Sequence, residues 1–149
     1  MIIKNGFVFQ ENGTFEKKDL YVENGKIVSS IEEVTDTTEI DAQGMKVLPG
    51  AVDVHSHGAF GHDFSDADVE GLKTILRYER SHGVTSYCPT SMTLPKEQLL
   101  DIFATAVKAG DDKDQARIGG INMEGPFIDP DKKGAHVERH IRKPDIGFF

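Results

Sequence analysis

Apolar positions in residues 1–49 come in short runs separated by turn pairs, and from Gly50 the spacing lengthens into alternating strand-like and helix-like segments. In the first stretch the pairs are Asn5-Gly6, Asn12-Gly13 and Asn24-Gly25. Asn24-Gly25 lies between Asp19-Leu20-Tyr21-Val22 and Lys26-Ile27-Val28. Asn and Gly tolerate positive φ at both central turn positions, so this pattern predicts a two-residue hairpin. Ile40 to Leu48 predicts a further strand with Gly44 as a bend. Residues 1–49 are therefore expected to form a small β-rich, sandwich-like domain, or the N-terminal part of one, with no catalytic group before Pro49.

From Gly50 the expected order is strand, helix, strand, helix, strand. A short buried strand spans Ala51 to His57, followed by a glycine-containing loop from Gly58 to Phe64. Val69, Leu72, Ile75 and Leu76 give a helical stripe from about Asp66 to Ser81, with Ser65 or Asp66 as cap and Gly83 at the C-terminal end. Val84 to Cys88 reads as a buried strand ending at Pro89-Thr90. Pro95 opens a second helix with Leu99, Phe103 and Val107 on one stripe and Gly110 at its end. Arg117 to Glu124 completes the pattern, which implies an α/β fold with a parallel sheet. Residues 125–149 carry no clear periodicity and read as a long loop, functional or part of something larger. The apolar Ile146-Gly147-Phe148-Phe149 end leads to the expectation of a truncated piece.

Composition narrows the class. With 149 residues, 38% hydrophobic and 28% charged, the chain is ordinary globular material. It is too short to close a (β/α)8 barrel, which needs ~250 residues. Lys and Arg total 17 against 25 Asp and Glu, a formal charge of -8, which argues against nucleic acid or an anionic membrane as partner. The single cysteine, Cys88, fits a reducing compartment. The start resembles no signal peptide and no run approaches 18 apolar residues, so a cytoplasmic protein is expected.

The chemistry centres on Leu48 to Gly58, LPGAVDVHSHG. Side chains on a strand alternate faces, so Asp53, His55 and His57 share one face. Neighbours on that face are roughly 6.5–7 Å apart at Cα, close enough for two imidazoles to meet one ion. Glu124 ends the third expected strand, and catalytic groups of parallel barrels collect at such ends. Two imidazoles and a carboxylate match the ligand set of a catalytic zinc-type site. Asp53 is either an acceptor for a histidine's second ring nitrogen or a satisfied interior carboxylate. His82 is expected at a helix end and His62 in a solvent-facing loop. Arg139, His140, Arg142 and Lys143 form a basic cluster, a solvated face or a phosphate contact.

Three runs, LPGAVDVHSHG, HGVTSYCPT at 82–90 and NMEGPFIDPDKKGAH at 122–136, resemble N-acetylglucosamine-6-phosphate deacetylase of the amidohydrolase superfamily, and the likeness covers nearly the whole chain. The third run is the specific one, because related cyclic amidases bridge two metals with a carboxylated lysine where these deacetylases use a glutamate. The resemblance implies a small β-rich domain at 1–49 and, over 50–149, about three βα units of a (β/α)8 barrel. It implies hydrolysis of the N-acetyl group of N-acetylglucosamine 6-phosphate in amino-sugar catabolism. The resemblance makes Glu124 a metal ligand and His55 and His57 ligands of a second metal position, with zinc or iron, one or two ions per full-length subunit. Ala135 meets the amino sugar through its backbone, and His136 binds substrate and polarises the acetamide carbonyl. A homodimer is implied at full length. The base, an aspartate on an eighth strand, and two further histidine ligands have no counterpart here, so 149 residues alone are expected to be inactive. Another amidohydrolase, a cyclic amidase or dipeptidase, and a non-catalytic fragment that is oligomeric or unstable are the alternatives.

Overall fold

The computed structural model describes residues 1–148; Phe149, the last residue of the apolar end, lies outside the described residues. The chain divides into two units, Met1–Pro49 and the residues from Gly50 onward.

The first unit is a five-stranded mixed sheet. Strand β1 (Ile2–Phe9) pairs antiparallel with β2 (Phe15–Glu23), which pairs with β3 (Lys26–Val28). Asn24 and Gly25, at φ 51° and 73°, make the two-residue turn that sets Glu23 opposite Lys26. Asn5-Gly6 behaves differently. It lies inside β1, with Asn5 at φ 62° and a register shift between Ile3 and Gly6, which is a β-bulge. The strand expected from Ile40 to Leu48 is two short pieces, β4 (Glu39–Asp41) and β5 (Lys46–Val47), both parallel to β1, because the chain turns between them at Gly44.

In the second unit, β6 (Ala51–Ser56) pairs parallel with β9 (Val84–Ser91). On its other side β9 pairs parallel with β10 (Arg117–Ile118) and β11 (Asn122–Met123). Between β6 and β9 come a small antiparallel ladder, β7 (Gly58–Ala59) with β8 (His62–Asp63), and helix α1 (Val69–Ser81). Helix α2 (Lys96–Ala109) follows β9. The loop expected after the first strand is thus partly a hairpin, closed by a turn with Phe60 and Gly61 at positive φ.

Helix α1 begins three residues later than Asp66, after a 3₁₀ turn at Phe64–Asp66 and Ala67 in the left-handed region. Its cap is Asp68, whose carboxylate accepts from the amides of Glu70 and Gly71 and satisfies two otherwise unpaired donors. The helix buries Leu72, Ile75 and Leu76 against Tyr87, Leu99 and Ile102, each aliphatic side chain contributing about 1.5–3 kcal/mol. Helix α2 buries Leu99, Ile102, Ala106 and Ala109, leaving Val107 81% exposed. The expected stripe of Leu99, Phe103 and Val107 is rotated, because the alanines let the helix sit close to its neighbours.

Three further expectations change. The strand of β6 is not buried: it pairs with β9 alone among the described strands, and Val52 and Val54 are 62% and 59% exposed. Strand β9 does not stop at Cys88 but runs through Pro89 to Ser91, with Pro89 opposite Ser56 at a register shift. The segment expected from Arg117 to Glu124 is interrupted, Gly119 to Ile121 lying between β10 and β11. Residues beyond Glu124 form a loop with 3₁₀ turns at Pro130–Lys132, Glu138–His140 and Ile146–Phe148. Phe148 is buried against Phe127, with Lys96 and Arg142 over its ring. Among the described residues, no helix is long and apolar enough to cross a membrane.

Candidate metal centre

Parallel pairing of β6, β9 and β11 brings the C-terminal ends of all three strands to one side of the sheet. His55 lies near the end of β6, His57 follows it, and Glu124 follows β11. His55 Nε2 is 3.0 Å and His57 Nε2 3.1 Å from the same oxygen, Oε2 of Glu124. One ligand-type atom from each residue lies within 4.8 Å of the others. His136 comes from the loop after β11, and its Nε2 is 3.2 Å from Glu124 Oε1. The carboxylate is therefore shared between a histidine pair on one oxygen and a third histidine on the other.

Backbone contacts fix the rings. His57 Nδ1 donates to the Thr90 carbonyl at 3.1 Å, which leaves Nε2 with a bare lone pair turned toward Glu124. In the neutral ring that lone pair and Glu124 Oε2, 3.1 Å apart, can both bind one cation. A histidine holding a metal commonly gives its second N–H to a carbonyl in this way. His136 is oriented the opposite way: the Thr93 amide donates to its Nδ1 at 3.3 Å, so the ring proton sits on Nε2. Burial pushes the Glu124 carboxyl up, but the hydrogen bonds from His136 and His55 outweigh it and hold the group below its usual range.

A cleft of about 470 Å³ opens beside these groups, lined by His57, Glu124, Lys133, Ala135 and His136 among others. Among its lining residues Ala135 is exposed and His136 is 9% exposed. Asp53 does not reach a histidine ring; its carboxylate accepts from the backbone amide of His55 at 2.9 Å and shapes the strand end instead. His82 caps α1, its Nδ1 2.9 Å from the Tyr78 carbonyl and its ring tilted over Tyr78. His62 is half-buried over α1, where a Cβ at Gly71 would lie 2.8 Å from its Nδ1. In the basic cluster, Arg139 donates to His140 and Arg142 lies over Phe148.

Sequence reasoning did not single out Thr90, Thr93, Tyr87 or Asn122. The Tyr87 hydroxyl, fully buried, donates to the carbonyl of Ser56 between the two histidines at 2.7 Å. Asn122 Nδ2 donates to the Val54 carbonyl at 2.9 Å and ties β11 to β6. The available signal was the hydroxyl-rich Thr90-Ser91-Met92-Thr93 run at and beyond the end of β9.

Comparison with known proteins places this geometry in context. The chain is 34% identical over 145 residues to N-acetylglucosamine-6-phosphate deacetylase from Bos taurus, covering 92% of this chain and 36% of that protein. The crystal structure of N-acetylglucosamine-6-phosphate deacetylase from Thermotoga maritima superposes with a TM-score of 0.79 at 29% identity, covering 99% of this chain and 38% of that one. A mutant of the Mycobacterium smegmatis enzyme, solved in complex with N-acetyl-D-glucosamine-6-phosphate, gives a TM-score of 0.75 at 27% identity, with 99% and 38% covered. No family model matches the chain. The chain is thus similar over nearly its whole length to N-acetylglucosamine-6-phosphate deacetylases, and it spans little more than a third of the curated relative's length.

Proposed function

We propose that this chain supplies the N-terminal part of a metal-dependent N-acetylglucosamine-6-phosphate deacetylase, which releases acetate and glucosamine 6-phosphate. In this reading residues from Gly50 onward are about the first three βα units of a (β/α)8 barrel, and residues 1–49 belong to a small β-rich domain. The observation that carries it is the convergence of His55, His57 and Glu124 at neighbouring parallel strand ends, in a chain similar to these deacetylases over 92% of its length.

The residues fit a divalent cation, zinc or iron, because two imidazole nitrogens and a carboxylate oxygen converge within 4.8 Å of one another. Bound there, as one ion or two per subunit, such a cation would lower the pKa of a water toward ~7 and polarise a carbonyl oxygen. Thr90 holds His57 so that only Nε2 turns inward. His136 lines the cleft, and its Nε2–H, which faces Glu124 Oε1 in this structure, would turn to the acetamide oxygen as negative charge develops there. The backbone at Ala135 borders the amino sugar. The cleft volume of about 470 Å³ falls in the range of small-ligand sites.

Hydrolysis also needs a group that takes a proton from water and delivers it to the leaving amine. His57 commits its Nδ1 proton to Thr90, and His136 accepts at Nδ1, so neither shuttles it. The resemblance assigns that task to an aspartate on an eighth strand, with two more histidine ligands, in the portion of the relatives that this chain does not match. The 149 residues alone are then inactive. At full length the enzyme acts as a cytoplasmic homodimer in amino-sugar catabolism.

The test is acetate release from N-acetylglucosamine 6-phosphate by the native-length protein, before and after chelation and metal return. Turnover lost to chelator and restored by zinc or iron is expected. Turnover of hydantoin or dihydroorotate instead would move the protein to the cyclic amidases.

A further inference from the structure

We infer that Thr93 is a positioning residue that couples the two sides of the site, setting the Glu124 backbone through its hydroxyl and the His136 tautomer through its amide. What the coupled groups accomplish rests on the deacetylase reading; the coupling itself rests on geometry. Thr93 lies two residues beyond the end of β9 and is 2% exposed. Its Oγ1 donates to the Glu124 carbonyl at 3.2 Å, 31 residues away in sequence, and its N–H donates to His136 Nδ1 at 3.3 Å, 43 residues away.

Both bonds depend on close approach. Gly125 is at φ 89°, and a Cβ there would sit 1.9 Å from Thr93 Oγ1, so the residue after Glu124 has to lack a side chain for the hydroxyl to enter. Because His136 Nδ1 accepts, its proton lies on Nε2, where it faces Glu124 Oε1 at 3.2 Å. The other tautomer would turn a bare nitrogen toward the carboxylate and offer no donor to a carbonyl oxygen. Thr93 therefore decides both where the Glu124 side chain starts and which nitrogen of His136 can donate. Valine at this position keeps the shape and the amide but loses the hydroxyl that holds the Glu124 carbonyl; serine keeps both donors and loses a methyl.

The experiment compares Thr93→Val and Thr93→Ser with the unaltered native-length protein. Zinc affinity is measured by chelator competition, the Co²⁺ absorption spectrum reports ligand geometry, and acetate release gives kcat and KM. The side-chain ¹⁵N shifts of His136 are recorded in the metal-free protein. Expected are a His136 with bare Nδ1 and protonated Nε2, a Thr93→Val variant whose zinc affinity falls about 10–100-fold with an altered Co²⁺ spectrum and a kcat loss exceeding the KM change, and a Thr93→Ser variant close to the original. A proton on Nδ1 of His136, unchanged zinc affinity and spectrum in Thr93→Val, or equal losses in both variants would overturn the inference. If Thr93→Val fails to fold, the tautomer and Thr93→Ser decide. If the protein releases no acetate while the zinc and tautomer results hold, the deacetylase reading falls and the coupling by Thr93 stands.

Discussion

Replacing Glu124 with glutamine separates a metal ligand from a structural acceptor. The carboxylate has His55 and His57 on Oε2 at 3.0 and 3.1 Å and His136 on Oε1 at 3.2 Å. With His57 Nδ1 committed to Thr90, the neutral ring turns an acceptor toward Oε2. A glutamine NH₂ in the place of Oε2 would donate to that nitrogen and lose the bond from His55. Metal-free stability should therefore change by no more than about 1 kcal/mol. Metal affinity should fall about 100-fold or more, equivalent to ~2.7 kcal/mol. Thermal unfolding with and without zinc reads both effects. At a zinc concentration 100 times the original Kd, the unaltered protein gains ~2.7 kcal/mol, while a variant bound 100-fold more weakly gains only ~0.4 kcal/mol. For a unit of this size the metal-induced rise in Tm is then roughly 10 °C against ~2 °C. A variant that loses more than ~2 kcal/mol without metal and keeps the full zinc-induced rise would refute the reasoning, making Glu124 a structural acceptor.

The remaining predictions concern the frame around the site. Tyr87→Phe removes the bond to the Ser56 carbonyl and should cost about 1–2 kcal/mol while weakening zinc binding; unchanged values in denaturant titration would contradict this. Burial pushes the Tyr87 phenol up to about 12, with the bond to Ser56 opposing. The unfolded phenol ionises first, near ~10, so this group's contribution is complete below that pH and is lost as pH rises toward the folded value. An ultraviolet titration should therefore find one phenol ionising last. Glu79 is 7% exposed on α1, and burial followed by the charge of Asp53 raises its pKa, His82 opposing. Its contribution is complete below the unfolded value and is lost as pH rises through the folded one, so Glu79→Gln should stabilise at pH 7 by on the order of 1 kcal/mol, with the gain vanishing in acid melts. Gly25→Ala, where nothing lies within 4 Å of the added Cβ, should cost about 1–2 kcal/mol for its positive φ. Gly125→Ala, whose Cβ meets Thr93, should cost about 2–5 kcal/mol and weaken zinc binding as well; equal losses at the two glycines would contradict the Thr93 contact.

The Asn24-Gly25 hairpin was legible because its flanking strands are adjacent in sequence and the turn alone sets their register. Asn5-Gly6 carries the same residues yet forms a bulge, since a Cβ at Gly6 would lie 2.6 Å from Val47 Cγ2 and β5 has to pass there. That requirement is forty residues away and leaves no local trace. Helix α2 misled for a related reason: Val107 matched the periodicity but faces out, while the small Ala106 and Ala109 face in. The meeting of His55 and His57 with Glu124 followed from strand ends and motif spacing. The hydrogen bonds that frame the site did not, because Thr90, Thr93 and Asn122 act through backbone atoms or reach backbone atoms, and residue type alone does not announce such bonds.

The central claim is that His55, His57 and Glu124 hold a divalent cation. Anomalous diffraction at the zinc edge, on crystals of the native-length protein grown with zinc, tests it most directly. A peak is expected about 2.0–2.2 Å from His55 Nε2, His57 Nε2 and a Glu124 oxygen. A zinc-dependent, active protein whose anomalous density lies elsewhere, with these three side chains unligated, would contradict it.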